Sequence, residues 1–443
     1  MLKLFKDRNF FTFWIGEFIS VIGDHISLIA FPFLVLQMTG SPALTAFVFA
    51  AQGLPRAVMM LVGGAVVDRT SPRLVMILSN LARCVLVMLL AYLVHVDQVS
   101  IQIIFIIALL FGLADAFFYP ASTSMVPTIV AKDNLKEGNA IIQSSIFVGV
   151  IIGPAIAGLV IAGHVTTLGH DVGLEAATYQ SNRPGFARAF FIDGLTFAMS
   201  FITLLFVKAR SLSAADDEAE TGKESATSVL AEVKEAVRWV WSVPALRLGF
   251  IGIAILEFFF QTPIFVGLPA LAKTRFLEPA YVYGLIIAAY GVGAVLGSVV
   301  GGATKGPKPE NLVQIMFFIF IGSGAAIGLM VIYPPYWFAM TLFLFSGFAD
   351  SYIWVHFTTL VQKATPEKLL GRVMSIFMFM SVGLIPIASI IMGIAFEWNL
   401  EASLMIASII IVVSCLVAAM HPDSKKVPIV DLQSDKGDAG VNA

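Results

Sequence analysis

Between Phe10 and Met420 the chain enters an apolar run of about 18 to 28 residues twelve times, and each time leaves through a polar gap. About 20 apolar residues in a helix span the hydrocarbon core of a bilayer. In lipid a helix is the simplest element that satisfies its own backbone polar groups. Only 13% of the residues are charged, against roughly 25% in soluble domains, and most of that charge lies in the gaps. The pattern therefore predicts an all-α polytopic membrane protein. Its spans fall at about 10–38, 43–67, 74–95, 99–127, 139–163, 190–208, 246–273, 282–303, 311–333, 337–361, 372–396 and 399–420. The opening MLKLFKDRNFFTFWIG is basic, but no small-residue cleavage site follows, so it reads as an uncleaved first span.

Lys and Arg set an orientation. With both termini in the cytoplasm, 21 of the 27 lie inside and four outside (Arg183, Arg188, Lys273 and Arg275); Arg56 and Arg83 lie within spans. This asymmetry predicts a bacterial-type inner membrane location with cytoplasmic termini. The long connection at 209–245 divides the chain into a six-span half (1–208) and a second (246–420), followed by a tail (421–443). The first part of the connection is acidic and small-residue-rich. The second places Leu230, Val233, Val237 and Val240 at helical spacing beside Trp239 and Trp241, which predicts an amphipathic helix on the membrane surface or on the inner face of the bundle. The halves echo one another: Gly112-Leu-Ala-Asp115 returns as Gly347-Phe-Ala-Asp350, Lys132 as Lys363, and Pro154 as Pro386, at offsets of 231 to 235. Two pseudo-symmetric six-helix bundles follow, one of the plans used by transporters.

Ionisable residues within spans are costly and mark function. Asp24 lies in span one, Arg56 in span two and Glu257 in span seven, with Asp24 and Glu257 offset by 233. Together they make a candidate binding and proton-coupling centre. Asp24 is the first choice for coupling because Arg56 lies on the adjacent span. Gln52, Gln143, Gln261, Asp115, Asp350 and His356 are further cavity candidates. Asp193 reads as interfacial near the outer end of span six, and Arg83 as a residue that snorkels inward or reaches back toward Asp68. Cys84 and Cys415 lie in separate apolar runs, so neither a disulfide nor a metal site is expected.

The gap GGAVVDRTSPR holds Gly64, Asp68, Arg69 and Arg73 between spans two and three. Together with twelve spans in two sixes and a central linker, it resembles the signature loop of the major facilitator superfamily, with Ser71 and Pro72 as departures. The resemblance implies a conformational latch at the cytoplasmic side, where a carboxylate at a helix end meets arginines and a facing helix N-terminus. The equivalent gap GGATKGPKPEN has no acid at Gly301, so the latch is one-sided. Span five, GVIIGPAIAG, places Gly149, Gly153, Pro154, Ala157 and Gly158 at close-packing spacing. It is similar to the antiporter motif of the family's exporters, with Ala157 replacing a glycine. The N-terminal pattern resembles the branch of macrolide and enterobactin exporters.

These expectations amount to a secondary transporter, not an enzyme. It exports a small amphiphilic compound in exchange for protons by alternating access, as a monomer in the bilayer, with no cofactor or metal and no nucleic-acid partner. No Gly-x-x-x-x-Gly-Lys-[Ser/Thr] loop occurs, which argues against ATP drive. The alternative within transport is a uniporter or flippase for a lysophospholipid-like lipid. A membrane enzyme would need a nucleophile–base set or clustered His and Cys, and the six histidines are scattered. A receptor would need a larger output domain than this linker.

Overall fold

The computed structural model describes residues 4–131, 134–162, 179–208, 226–333 and 335–426; the side chains of residues 60–69, 136, 140, 143, 226–233, 367 and 368 lie outside that description. Every regular element among the described residues is helical. The first half comprises α1 (Arg8–Thr39), α2 (Pro42–Arg69), α3 (Pro72–His95), α4 (Ile101–Ile129), α5 (Leu135–Ala162) and α6 (Tyr179–Phe206). A linker helix follows, α7 (Ala226–Ser242). The second half comprises α8 (Pro244–Arg275), α9 (Pro279–Ala303), α10 (Pro309–Ile332), α11 (Tyr336–Ala364), α12 (367–398) and α13 (Leu400–Met420). Eleven of these segments are long and apolar enough to cross a membrane, and α2 runs 28 residues alongside them.

The boundaries follow local chemistry. Asp7 caps α1 by accepting from the backbone N–H groups of Asn9 and Phe10, and Gly40, at φ 72°, ends it in the left-handed region. Pro72, Pro244, Pro279 and Pro309 open their helices at a position where no intrahelical N–H bond is lost. α6 begins at Tyr179, not near 190 as hydropathy suggests, because its polar opening turns find partners. Tyr179 and Gln180 donate to Asp97, Asn182 donates to Gln37, and Arg183 donates to the carbonyl of His95.

The described chain ends, near Leu4 and Lys426, and the linker helix α7 lie at one face of the bundle, here called the linker face, and the opposite end is the far face. α7 buries Ala236 and Val240 while Val237 and Trp241 stay exposed, and Glu235 pairs with Arg372 of α12 at 3.7 Å. The linker helix therefore rests one side on the bundle.

Within the first half α1 packs on α5 and α6, α2 on α4, and α3 on α4 and α6; within the second, α9 packs on α11, and α10 on α11 and α13. Two seams join the halves: α5 with α9, and α2 with α12. Each seam sets a proline against a glycine. Gly284 of α9 lies on the Pro154 backbone, and Gly53 of α2 lies on the Pro386 ring. A Cβ at either glycine would collide with its partner, and small residues are what allow such close approach. Pro154 and Pro386 are repeat equivalents, so the internal repeat is visible in how the halves touch.

The halves differ in one respect. α8 and α12 contain π-turns, at Glu257–Gln261, Pro263–Gly267 and Phe379–Gly383, whereas α1 and α5 run as continuous α-helix. Pro263 lacks the N–H needed for a regular ladder, and such turns mark places where a helix changes register.

Candidate functional site

The seams meet toward the far face. There Phe33 packs on Tyr283 and Phe49 stacks on Phe265, at 5.3 and 5.4 Å between ring centroids. Lys273 of α8 donates to the carbonyl of Leu36 near the end of α1 at 2.8 Å. Glu397 of α12 accepts from Ser41 Oγ at 2.7 Å and from the backbone N–H of Ala43 at 3.2 Å, at the start of α2. A cation thus sits at a helix C-terminus and an anion at a helix N-terminus, each on its favourable end. Below this closure a cavity of about 420 Å³ extends from Leu28, Phe49 and Phe265 down to Trp14 and Ile142 on the linker side.

The cavity is chemically one-sided. Among the described residues, all its ionisable side chains come from the first half: Glu17, Asp24 and His25 on α1, Arg56 on α2, and Asp115 and Tyr119 on α4. Of the described second-half residues, Phe265, Val382, Ile385 and Pro386 line it. Phe265 and Val382 ride on π-turns.

Behind the polar wall lies a ladder of charges. Arg83 of α3 has no exposed side-chain surface, and its guanidinium lies over the rings of Phe118 and Phe197 at 3.9 and 4.4 Å. Its Nη1 reaches Asp115 at 3.1 Å and Asp24 at 3.4 Å, and its Nη2 donates to Asn80 at 2.5 Å. Asp115 uses its other oxygen for Arg56, at 3.3 Å. Asp24 is therefore paired with Arg83, and Arg56 belongs to Asp115; the sequence-based pairing of Asp24 with Arg56 is corrected. Arg83 neither snorkels nor reaches back, because two carboxylates and two aromatic faces replace its hydration.

Asp193 is also corrected. It is completely buried, and it accepts from Ser27 of α1 and from Thr196. Glu17, which the sequence did not single out, is buried on the same helix as Asp24 and accepts from Ser122 at 2.7 Å.

The repeated Gly-x-Ala-Asp places its two acids in the same way. Gly112 seats α4 against the backbone of Gln52, and one turn later Asp115 meets Arg56. Gly347 seats α11 against the backbone of Tyr290 on α9, and Asp350 accepts from Tyr290 at 3.3 Å and from Ser323 at 2.9 Å. Gln261 donates to Tyr290 at 3.4 Å, and Glu257 lies within electrostatic reach of Asp350. Glu257, Gln261 and Asp350 thus form a second cluster inside the second half and do not line the cavity, contrary to expectation, because the α8 π-turns direct Phe265 there instead. His356 joins neither cluster; its ring lies against Gly306 and Tyr352 toward the linker face. Gln52 lines the cavity, and the Gln143 side chain lies outside the described residues.

Of the latch candidates, the side chains at Gly64, Asp68 and Arg69 lie outside the described residues. Arg73 is committed to its own half, donating to the carbonyls of Leu204 and Leu205 at the end of α6 at 2.9 and 2.7 Å. The α5 glycines divide between two partners. Gly149 and Gly153 pack on Val21 and His25 of α1, next to Asp24, while Pro154 and Gly158 pack on α9. The helix with the antiporter-like pattern therefore bridges the charged helix and the opposite half.

Comparison with known proteins agrees with this architecture. The sequence profile of the Major Facilitator Superfamily matches residues 13–389. The multidrug efflux pump Tap of Mycolicibacterium fortuitum is 25% identical over 423 residues, covering 92% of this chain and 94% of Tap. The enterobactin exporter EntS of Citrobacter koseri is 25% identical over 375 residues, covering 84% and 82%. Among solved structures, the D-xylose–proton symporter superposes with a TM-score of 0.69 at 13% identity, over 94% of this chain and 99% of the symporter. A bacterial homologue of the lysosomal transporter Spinster, captured inward-facing and unoccupied, superposes at 0.63 and 14%, over 93% and 94%. These two show the shared fold. With eleven apolar helices among the described residues long enough to cross a membrane, two joined halves lining a central cavity, and a family profile matched across most of its length, this chain is a transporter of the major facilitator superfamily and a multi-pass membrane protein.

Proposed function

We propose that the protein exports an amphiphilic organic compound in exchange for protons by alternating access. The observation that carries this is the two-sided cavity, with charged and hydrogen-bonding groups on the first half and hydrocarbon and one phenyl ring on the second. Its volume of about 420 Å³ falls within the range of pockets for drug-sized ligands, roughly 300–1,000 Å³. A substrate with a polar end and an apolar body satisfies both walls. The efflux and export functions named for Tap and EntS support the outward direction. The Lys and Arg asymmetry supports a cytoplasmic linker face, and in this reading the far-face closure is the outer gate.

Asp24 is the coupling carboxylate in this reading. It is one-third exposed to the cavity while held by Arg83, so substrate and proton both reach it. Asp115, held between two guanidiniums, fixes Arg83 and Arg56 in place. The test is a substrate screen in proteoliposomes with an imposed pH gradient, repeated with Asp24→Asn. The variant is expected to exchange substrate but not to concentrate it. Undiminished gradient-driven accumulation in Asp24→Asn would remove proton coupling through this residue and favour the uniporter or lipid flippase.

A further inference from the structure

The polar wall of the cavity holds one carboxyl that no positive charge balances. Arg56 and Arg83 bring two cations to this wall, and Asp24 and Asp115 occupy both. Arg83 reaches Asp24 at 3.4 Å and Asp115 at 3.1 Å, and Arg56 reaches Asp115 at 3.3 Å. Glu17 lines the same cavity, on the α1 face that carries Asp24 two turns further on. Among the described residues its carboxyl has one hydrogen-bond partner, the Ser122 hydroxyl donating to Oε1 at 2.7 Å, and no ion pair. His25 donates from Nδ1 to the Val21 carbonyl at 2.8 Å, which the neutral ring can do. The second half brings no ionisable group to the cavity among its described residues. With its carboxyls ionised, the site carries one negative charge in excess, and that charge falls at Glu17.

Glu17 is only 6% exposed. A carboxylate so enclosed, with one neutral donor, is costly until a positive charge meets it. Its surroundings suit a cation. Trp14 lies about one turn from Glu17 toward the linker face, and Tyr119 lies about one turn from Ser122 toward the far face; both line the cavity. Trp14 is held in place, its indole N–H donating to Ser145 at 2.8 Å and its ring stacking on Phe18 at 5.4 Å between centroids. The faces of such rings attract a cation and repel an anion. Beyond Tyr119 the cavity continues to the apolar surfaces of Leu28, Phe49 and Phe265.

We propose that the exported compound is an amphiphilic monocation, with its charged end against Glu17 between Trp14 and Tyr119 and its apolar body extending toward Phe49 and Phe265. Glu17 is then the residue that selects for charge, while Asp24, held by Arg83, keeps the coupling role. The inference rests on the reading of this cavity as the transport site and adds a substrate class to it.

The test is equilibrium binding to the purified full-length protein, with no gradient present. Matched probe pairs separate charge from shape: ethidium with neutral dihydroethidium, which differs from it by a hydride, and tetraphenylphosphonium with the anionic tetraphenylborate. The wild-type protein is expected to bind the cation of each pair about tenfold or more tighter than its counterpart, the worth of one charge-assisted contact. Glu17→Gln keeps an acceptor for Ser122 and removes the charge. It should erase the preference by weakening the cations alone, and Glu17→Asp should restore part of it. A Glu17 that served only the fold would weaken both members of a pair together. Equal affinity within the pairs, preference for the neutral or anionic member, or binding of neither cation overturns the substrate class. That comparison needs only the wild-type protein, so it decides even where a variant does not elute as a single folded species. A preference that survives Glu17→Gln overturns the role of Glu17. Gradient-driven accumulation of neutral or anionic compounds alone would leave proton-coupled export standing and remove the monocation. Cation binding at Glu17 without gradient-driven accumulation would do the reverse.

Discussion

Arg83 shows how one side chain organises a membrane interior. Its guanidinium is fully buried, so two carboxylates, the Asn80 amide and two phenyl rings supply what hydration would. Removing one member of a buried ion pair leaves the others uncompensated, at a cost of about 3–5 kcal/mol. Arg83→Met is therefore expected to destabilise the protein by about that amount, read as a lowered unfolding midpoint in detergent. Adding Asp115→Asn should recover part of the loss, because the second substitution removes a stranded charge. Equal destabilisation in single and double variants would mean that Arg83 acts mainly through packing. The sequence pointed to Asp24, Arg56 and Asp115, because a charge within an apolar run is visible in one dimension. It could not assign their partners, since Arg83 is surrounded by residues from four helices. Asp193 was misread for a simpler reason. With span six begun near 190 it falls at a membrane edge, whereas the helix begins at Tyr179 and puts it about four turns deep.

At the level of elements, the glycines of the seams have a definite task. Gly284→Val should wedge α9 away from Pro154, and Gly53→Val should push α12 away through Pro386, each loosening the far-face closure. Disulfide trapping between cysteines placed across each seam near the far face reports this, with slower cross-linking expected in both variants. Cross-linking at the parental rate would mean that the seams tolerate the extra bulk. At the linker face the chain end is fastened differently. Asp423 accepts from Lys426 at 2.7 Å and Arg247 at 3.1 Å, and these contacts, with the Lys426 hydrogen bond foremost, hold its carboxyl below the usual range. A depressed folded-state pKa means that the contribution is present above the ordinary carboxylate pKa and lost as pH falls through the depressed value. Proteolysis at the tail should accordingly accelerate in acid, and Asp423→Asn should show that faster cleavage already at neutral pH. Helix placement was legible from hydropathy because the bilayer imposes one length on every span. The π-turns were not, since Pro263 signals a disturbed ladder without saying how the register is absorbed.

For the whole molecule, two closures are set against each other. Lys273 and Glu397 hold the far face shut, and the Asp68 loop is expected to hold the linker face when the cavity opens the other way. A charge-assisted bond is worth about 1.5–3 kcal/mol, enough to shift a balanced equilibrium about tenfold or more. Combining Lys273→Met with Glu397→Gln should populate the far-open state, whereas Asp68→Asn should deplete it. Distances between paired spin labels across each face are predicted to move in opposite directions in the two variants; movement in the same direction would refute the opposition. Topology has its own check: cysteines at Arg183 and Lys426 should label from opposite sides of intact cells. The far-face cations have a consequence for how the chain is made. Arg183, Lys273 and Arg275 each end a helix by donating to its terminal carbonyls, at His95, Leu36, and Met330 with Val331. During insertion these same charges weigh against the orientation that the rest of the sequence favours. They satisfy helix ends only after the helices have met, so neutralising them should make insertion more decisive and the finished bundle looser. Membrane insertion and final packing thus place opposite demands on the same three side chains, and the large excess of Lys and Arg elsewhere lets the chain meet both.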